Sequence, residues 1–128
     1  MNIDYNTYKN IFWHRFQYFL RVRHLSLYRV AQINGVHYQN LRLSKFNRSL
    51  PSIPMAIKYS DILGISLEEL CDPRIRVGDV KVEPVYMKEW ERDSRSKFMQ
   101  KDVREFKILC DKDTDMLEST AENLAENN

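Results

Sequence analysis

Between Ser26 and Asp72 the chain is punctuated so closely that it can form little except short helices. Ser26, Ser52 and Ser66 each stand just before a run of helical apolar spacing, where a side-chain oxygen accepts from the unpaired N–H groups of a first turn. Gly35 and Gly64 stand at the ends of two such runs, where glycine takes the left-handed C′ conformation without steric cost. Ser66-Leu67-Glu68-Glu69 has the form of a capping box, a serine with a glutamate three residues on.

The apolar positions between these marks fill in the helices. Tyr8, Ile11, Phe12, Phe16, Phe19 and Leu20 predict a first helix over Thr7 to Arg23, with Asn6 or Thr7 as N-cap. Ser26 caps a second, with Leu27, Val30, Ala31 and Ile33 as its apolar positions and Asn34-Gly35 as its stop. A third runs from His37 or Tyr38 to Phe46, and Asn47 is the expected left-handed residue after it. Pro51-Ser52 opens a fourth, with Pro54 in its first turn and Met55, Ala56, Ile57, Tyr59, Ile62 and Leu63 inward. The fifth ends near Cys71, and Asp72-Pro73 closes the unit.

Beyond Pro73 the pattern changes. Ile75, Val77, Val80 and Val82 alternate around Gly78-Asp79 between Arg74 and Val85, which predicts a hairpin or one bulged strand. Met87 to Cys110 is helical again, with Trp90, Phe98, Met99, Val103, Phe106, Leu109 and Cys110. Asp111 to Asn128 is acidic and polar, with a weak helix through Leu117, Ala121 and Leu124. The expected division is therefore a helical unit over residues 1–72, a hairpin and helix over 73–110, and a weakly ordered acidic tail over 111–128.

Charge separates along the same lines. Residues 5–60 hold nine Lys or Arg and no Asp or Glu, whereas 111–128 hold six acids against Lys112 alone. The formal net charge of +2 is the sum of +4 over 1–72, from nine bases and five acids, and −2 over 73–128, from eleven and thirteen. A stretch of one sign is the electrostatic footprint expected for a polyanion. The acidic tail is a solvating extension or a competitor for that basic surface.

Other functions lack their signatures. No apolar run reaches the roughly 18 residues of a membrane span, and Met1-Asn2-Ile3-Asp4 lacks the basic start of a signal peptide. Cys71 and Cys110 fit no metal or redox spacing, which points to a cytoplasmic protein with reduced thiols. His14, His24 and His37 do not converge on a metal spacing, and no glycine-rich phosphate loop occurs. The expectation is no cofactor, no metal and no enzymatic activity.

Leu25-Ser26-x3-Val30-Ala31-x3-Gly35-Val36-x4-Leu41, then Pro51-Ser52, then Leu63-Gly64-Ile65-Ser66-Leu67-Glu68-Glu69-Leu70, resembles the Cro and phage-repressor (XRE-like) helix-turn-helix family over about residues 16–71. The resemblance implies a mainly α fold, a five-helix repressor-like bundle, followed here by the small hairpin or strand and helix. It implies that His37 to Lys45 is a recognition helix lying in the major groove. Base contacts then fall on Tyr38, Gln39, Asn40, Arg42 and Leu43: glutamine pairs with adenine, arginine with guanine, and leucine meets a thymine methyl. Phosphate contacts fall on Ser26 and Leu27 at the second helix's N-terminus, and on Arg48 and Ser49 in the following loop.

The sequence also departs from the family. An arginine in helix one and a glutamate ending helix three are often paired; Leu20 and Lys45 stand there instead. Asn47 replaces the usual glycine, Ser44 stands where an apolar residue is common, and Phe46 where a polar one is. The expected function is a sequence-specific transcriptional regulator, a repressor, binding double-stranded DNA as a homodimer through residues 74–124. The alternative is a protein-binding module, an antitoxin-like or phage-encoded inhibitor with a protein partner, that also represses its own operon.

Overall fold

The computed structural model describes residues 4–82 and 103–116. Five helices follow in order: α1 Tyr5–Val22, α2 Leu27–Asn34, α3 Tyr38–Phe46, α4 Ile53–Leu63 and α5 Leu67–Cys71. A 3-10 turn, Val77–Asp79, comes next. Residues 103–116 are helical and are called α6. The described chain is an all-α bundle.

The serine caps lie where the sequence puts them. Ser26, Ser52 and Ser66 accept from the N–H groups of Arg29, Met55 and Glu69, and Ser66 with Glu69 forms the full capping box. α1 starts two residues earlier than its apolar pattern predicts. Asp4, rather than Asn6 or Thr7, is its N-cap and accepts from the Asn6 N–H at 3.4 Å.

Four helices end alike. Val36, Ile65, Leu25 and Ser49 each donate their N–H to the carbonyl five residues back, at 2.9–3.1 Å. This is the Schellman closure, which demands a left-handed residue just before the donor. Gly35 and Gly64 supply it with φ of +67° and +69°, but His24 and Arg48 supply it with φ of 57° and 54°. Asn47 is not left-handed as expected: its φ of −79° continues the helix, and the reversal falls one residue later.

The two glycines give a graded prediction. A Cβ on Gly35 meets nothing within 4 Å, whereas one on Gly64 lands 2.5 Å from Arg23 Nη1. Gly35→Ala is expected to cost about 1–2 kcal/mol from backbone strain alone. Gly64→Ala should cost more, because the Arg23 side chain must also move. Equal losses in urea melts would contradict this order.

α1 is the centre of the bundle. Ile11, Phe12, Trp13, Phe16, Phe19 and Leu20 are all nearly fully buried. Around them pack Val30 and Ala31 of α2, Leu41 of α3, Tyr59 and Leu63 of α4, and Leu70 of α5. The Trp13 indole N–H donates to the Ser49 carbonyl at 3.2 Å, tying α1 to the turn after α3. Arg15 is 1% exposed; its guanidinium donates to the carbonyls of Glu69, at 2.9 Å, and Ile75. Burial holds its pKa below the usual arginine value.

The hairpin predicted over Arg74 to Val85 does not form in its described part, which ends at Val82 and contains no strand. The backbone there bonds elsewhere. Pro73 O accepts from the Thr114 hydroxyl, Ile75 O from Arg15, and the Val80 N–H donates to Val77 O. Residues three apart eclipse each other in a 3-10 turn, so Val77 and Val80 face one core without a partner strand.

α6 packs on this segment and on α1. Cys110 and Thr114 are 1% exposed, and Val77 and Cys110 belong to the same core as the α1 aromatics. Thr114 Oγ1 donates to Pro73 O at 2.8 Å. His14 Nδ1 lies 2.8 Å from Asp113 Oδ2, and Arg76 reaches Asp115 at 2.7 Å and Asp111 at 4.0 Å. The 110/111 division read from composition therefore falls inside a helix, and the core continues past residue 72. Trp90, Phe98, Met99, Leu117, Ala121 and Leu124 lie outside the described residues.

Desolvation pushes the Cys110 thiol up to about 12. The thiolate is the reactive form, so iodoacetamide at pH 8 should label Cys110 only after denaturation. Rapid labelling of the folded chain would mean that α6 leaves its seat readily.

Candidate nucleic-acid interface

The α2–turn–α3 unit follows from three local facts. Ser26 starts α2, Gly35 ends it in the left-handed conformation, and His37, in extended conformation, precedes α3 without a side-chain cap bond. Ala31, 1% exposed, offers no bulk where the helices approach, and Leu41 points inward at 3% exposed. Anchoring α3 through Leu41 turns its other side outward.

That outer side carries the residues predicted to read bases. Gln39, Asn40, Arg42 and Leu43 are exposed. Tyr38 is half-buried, its ring edge-to-face with Tyr28 of α2 at 5.6 Å between centroids. The tyrosine pair braces the start of α3 and leaves part of the Tyr38 ring accessible. Gln39, Arg42 and Leu43 share one helix face, with the spacing i, i+3, i+4. Phe46 adds i+7 and is 82% exposed. Sequence reasoning noted Phe46 only as a departure; its spacing from Gln39 was the available signal.

The predicted phosphate residues differ in kind. The Ser26 oxygen accepts from the Arg29 N–H at 3.1 Å, which leaves its O–H free to donate outward. Leu27 is half-buried, so it can offer only its backbone N–H. α2, α3 and α4 have no acid in their first turns, so no residue of those turns offsets the positive ends of their dipoles. Arg48 and Ser49 are both exposed. The Arg48 guanidinium donates to Asn10 Oδ1, which orients it beside α1. Asn40, Ser44 and Ser49 line a shallow hollow of about 250 Å³ between α3 and the start of α4.

The basic surface is smaller than the sequence count suggests. Of the nine bases in residues 5–60, Arg29, Arg42, Arg48 and Lys58 are exposed, whereas Arg15 is a buried structural tie. Lys45 is half-buried, and its pKa is lowered first by burial and then by the nearby Arg21 charge. Leu20 is buried and apolar. Among the described residues no group of three or more His, Cys, Asp or Glu could hold a metal ion. Among them no helix is long and apolar enough to cross a membrane. No protein-family model, curated protein or solved structure matches the chain.

Proposed function

We propose that the chain is a sequence-specific DNA-binding regulator, a repressor, that inserts α3 into the major groove. The reading rests on one observation above all: α3 is fixed by Leu41 and Gly35 and presents Gln39, Asn40 and Arg42 to solvent. These side chains have the donors and acceptors that match adenine and guanine edges, and Leu43 and Phe46 offer apolar contact for thymine methyls. Tyr38 adds a partial contact at the start of the helix. Ser26, the Leu27 N–H, Arg48 and Ser49 hold the phosphates on either side. One module contacts few bases, so two copies on half-sites one helical turn apart give the required selectivity.

The test is selection from a random double-stranded DNA pool with the full chain. A single palindromic sequence should emerge, and affinity should fall steeply with salt. On the selected site, Arg42→Ala is expected to cost about 1–3 kcal/mol and to relax one base position. Arg48→Ala should weaken all sequences alike and reduce the salt slope by about one. Interchanged effects would reverse these two roles.

A second reading has its own support. Leu43 and Phe46 are 55% and 82% exposed on the same face, an apolar area that also suits docking on a protein. A helix-turn-helix module of the antitoxin or phage-inhibitor kind would use it so. Absence of sequence enrichment, together with a defined protein complex disrupted by Phe46→Ser, would favour that reading.

A further inference from the structure

We infer that the outer face of α6 is a self-association surface that pairs antiparallel with α6 of a second copy. α6 carries apolar side chains beyond the side that faces the core. Its inner side, Val103, Phe106 and Cys110, packs on the core. Ile108 points the other way and Leu109 lies on the flank between, and they are 55% and 38% exposed. Exposed apolar side chains on a second side suit a second surface, and the described residues supply only the first.

The charges around Ile108 and Leu109 select the second surface. At about 100° per residue, Glu105, Ile108, Leu109 and Lys112 fall within one arc of about 100° on the exposed side. Glu105 and Lys112 stand equally far before and after the midpoint between Ile108 and Leu109. A two-fold axis through that midpoint sets Ile108 against Leu109 and Glu105 against Lys112, at both ends of the contact. Parallel pairing would instead oppose Glu105 to Glu105 and Lys112 to Lys112, which is unfavourable. Within one helix these two residues are about 10.5 Å apart along the axis, too far to satisfy each other. The other acids of α6 are already engaged: Asp113 with His14, and Asp111 and Asp115 with Arg76. The stripe is therefore complementary to its own copy.

One helix against its copy buries less than a standard interface, so the dimer should be weak, in the range of tens of micromolar. The pairing deepens the two-copy part of the reading above. Because it is measured without DNA, either can fail alone.

The test is sedimentation of the full chain from roughly 1 to 300 µM at low salt, with circular dichroism as a folding check. The expected result is a concentration-dependent doubling of mass. Leu109→Asp should leave a folded monomer throughout. Glu105→Lys and Lys112→Glu should each weaken association about tenfold, and the double reversal should restore it to within about threefold. All these positions are exposed, so the helix keeps its inner contacts. Wild type that stays monomeric across the range overturns the inference. A double reversal no better than either single one also overturns it, because residues 105 and 112 then do not meet.

Discussion

Arg15→Met is expected to remove about 3–5 kcal/mol of folding stability, because it leaves two carbonyls without their charged donor. Methionine keeps most of the side-chain volume but none of the donors. Glu69 O and Ile75 O would each lose a charged hydrogen bond, worth about 1.5–3 kcal/mol apiece. Those carbonyls flank the exit from α5, so Arg15 fixes both the end of the fifth helix and the segment that leads to Val77. Urea denaturation at pH 7 measures the loss. Arg15→Lys should fall between, since an ammonium lacks the planar fork that spans two carbonyls. A methionine variant within about 1 kcal/mol of the parent would show that water reaches both carbonyls.

Phe16→Ala should be comparably severe, about 3–5 kcal/mol. Phe16 is fully buried, and its ring meets Trp13 at 5.1 Å, Tyr59 at 5.2 Å and Phe12 at 6.1 Å between centroids. Alanine leaves a void beside Phe12 and Trp13, which stand edge-to-face with each other at 5.0 Å, and removes the only ring that joins them to Tyr59 among the described residues. A small domain has about 5–15 kcal/mol in total, so either change alone brings the chain near its unfolding limit. Thermal melts that follow tryptophan fluorescence would report it directly, since Trp13 borders the void. An unchanged melting temperature would mean that the α1 aromatics repack freely.

How much of this was legible in the sequence depends on whether the signal was local. Ser26, Ser52 and Ser66 cap through bonds to N–H groups three residues away, so spacing alone revealed them. Gly35 and Gly64 were legible because left-handed turns favour glycine, whereas His24 and Arg48 hold the same conformation without that mark. The hairpin misread a pattern that two structures share. Val77 and Val80 face one core from a 3-10 turn and bond each other, while Arg15 and Thr114 take the carbonyls of Ile75 and Pro73. Arg15 was counted with the basic footprint because nothing in the local sequence reveals that Glu69 and Ile75 lie against it. At the candidate interface, the α3 face was legible from helical spacing. The exposure of Phe46 and the bracing of Tyr38 by Tyr28 depend on tertiary packing and were not.

The docking of α6 on α1 also sets a schedule. His14 and Asp113 are 99 residues apart in the chain, yet they meet at 2.8 Å. Ribosomes add about 5–20 residues per second, so α1 is made roughly 5–20 seconds before the helix that covers it. During that interval the site awaiting Cys110 and Thr114 is open to other apolar segments. Completion of this core must therefore wait until α6 has been made. Slowing synthesis near residue 110 should prolong the period in which chaperones can bind it.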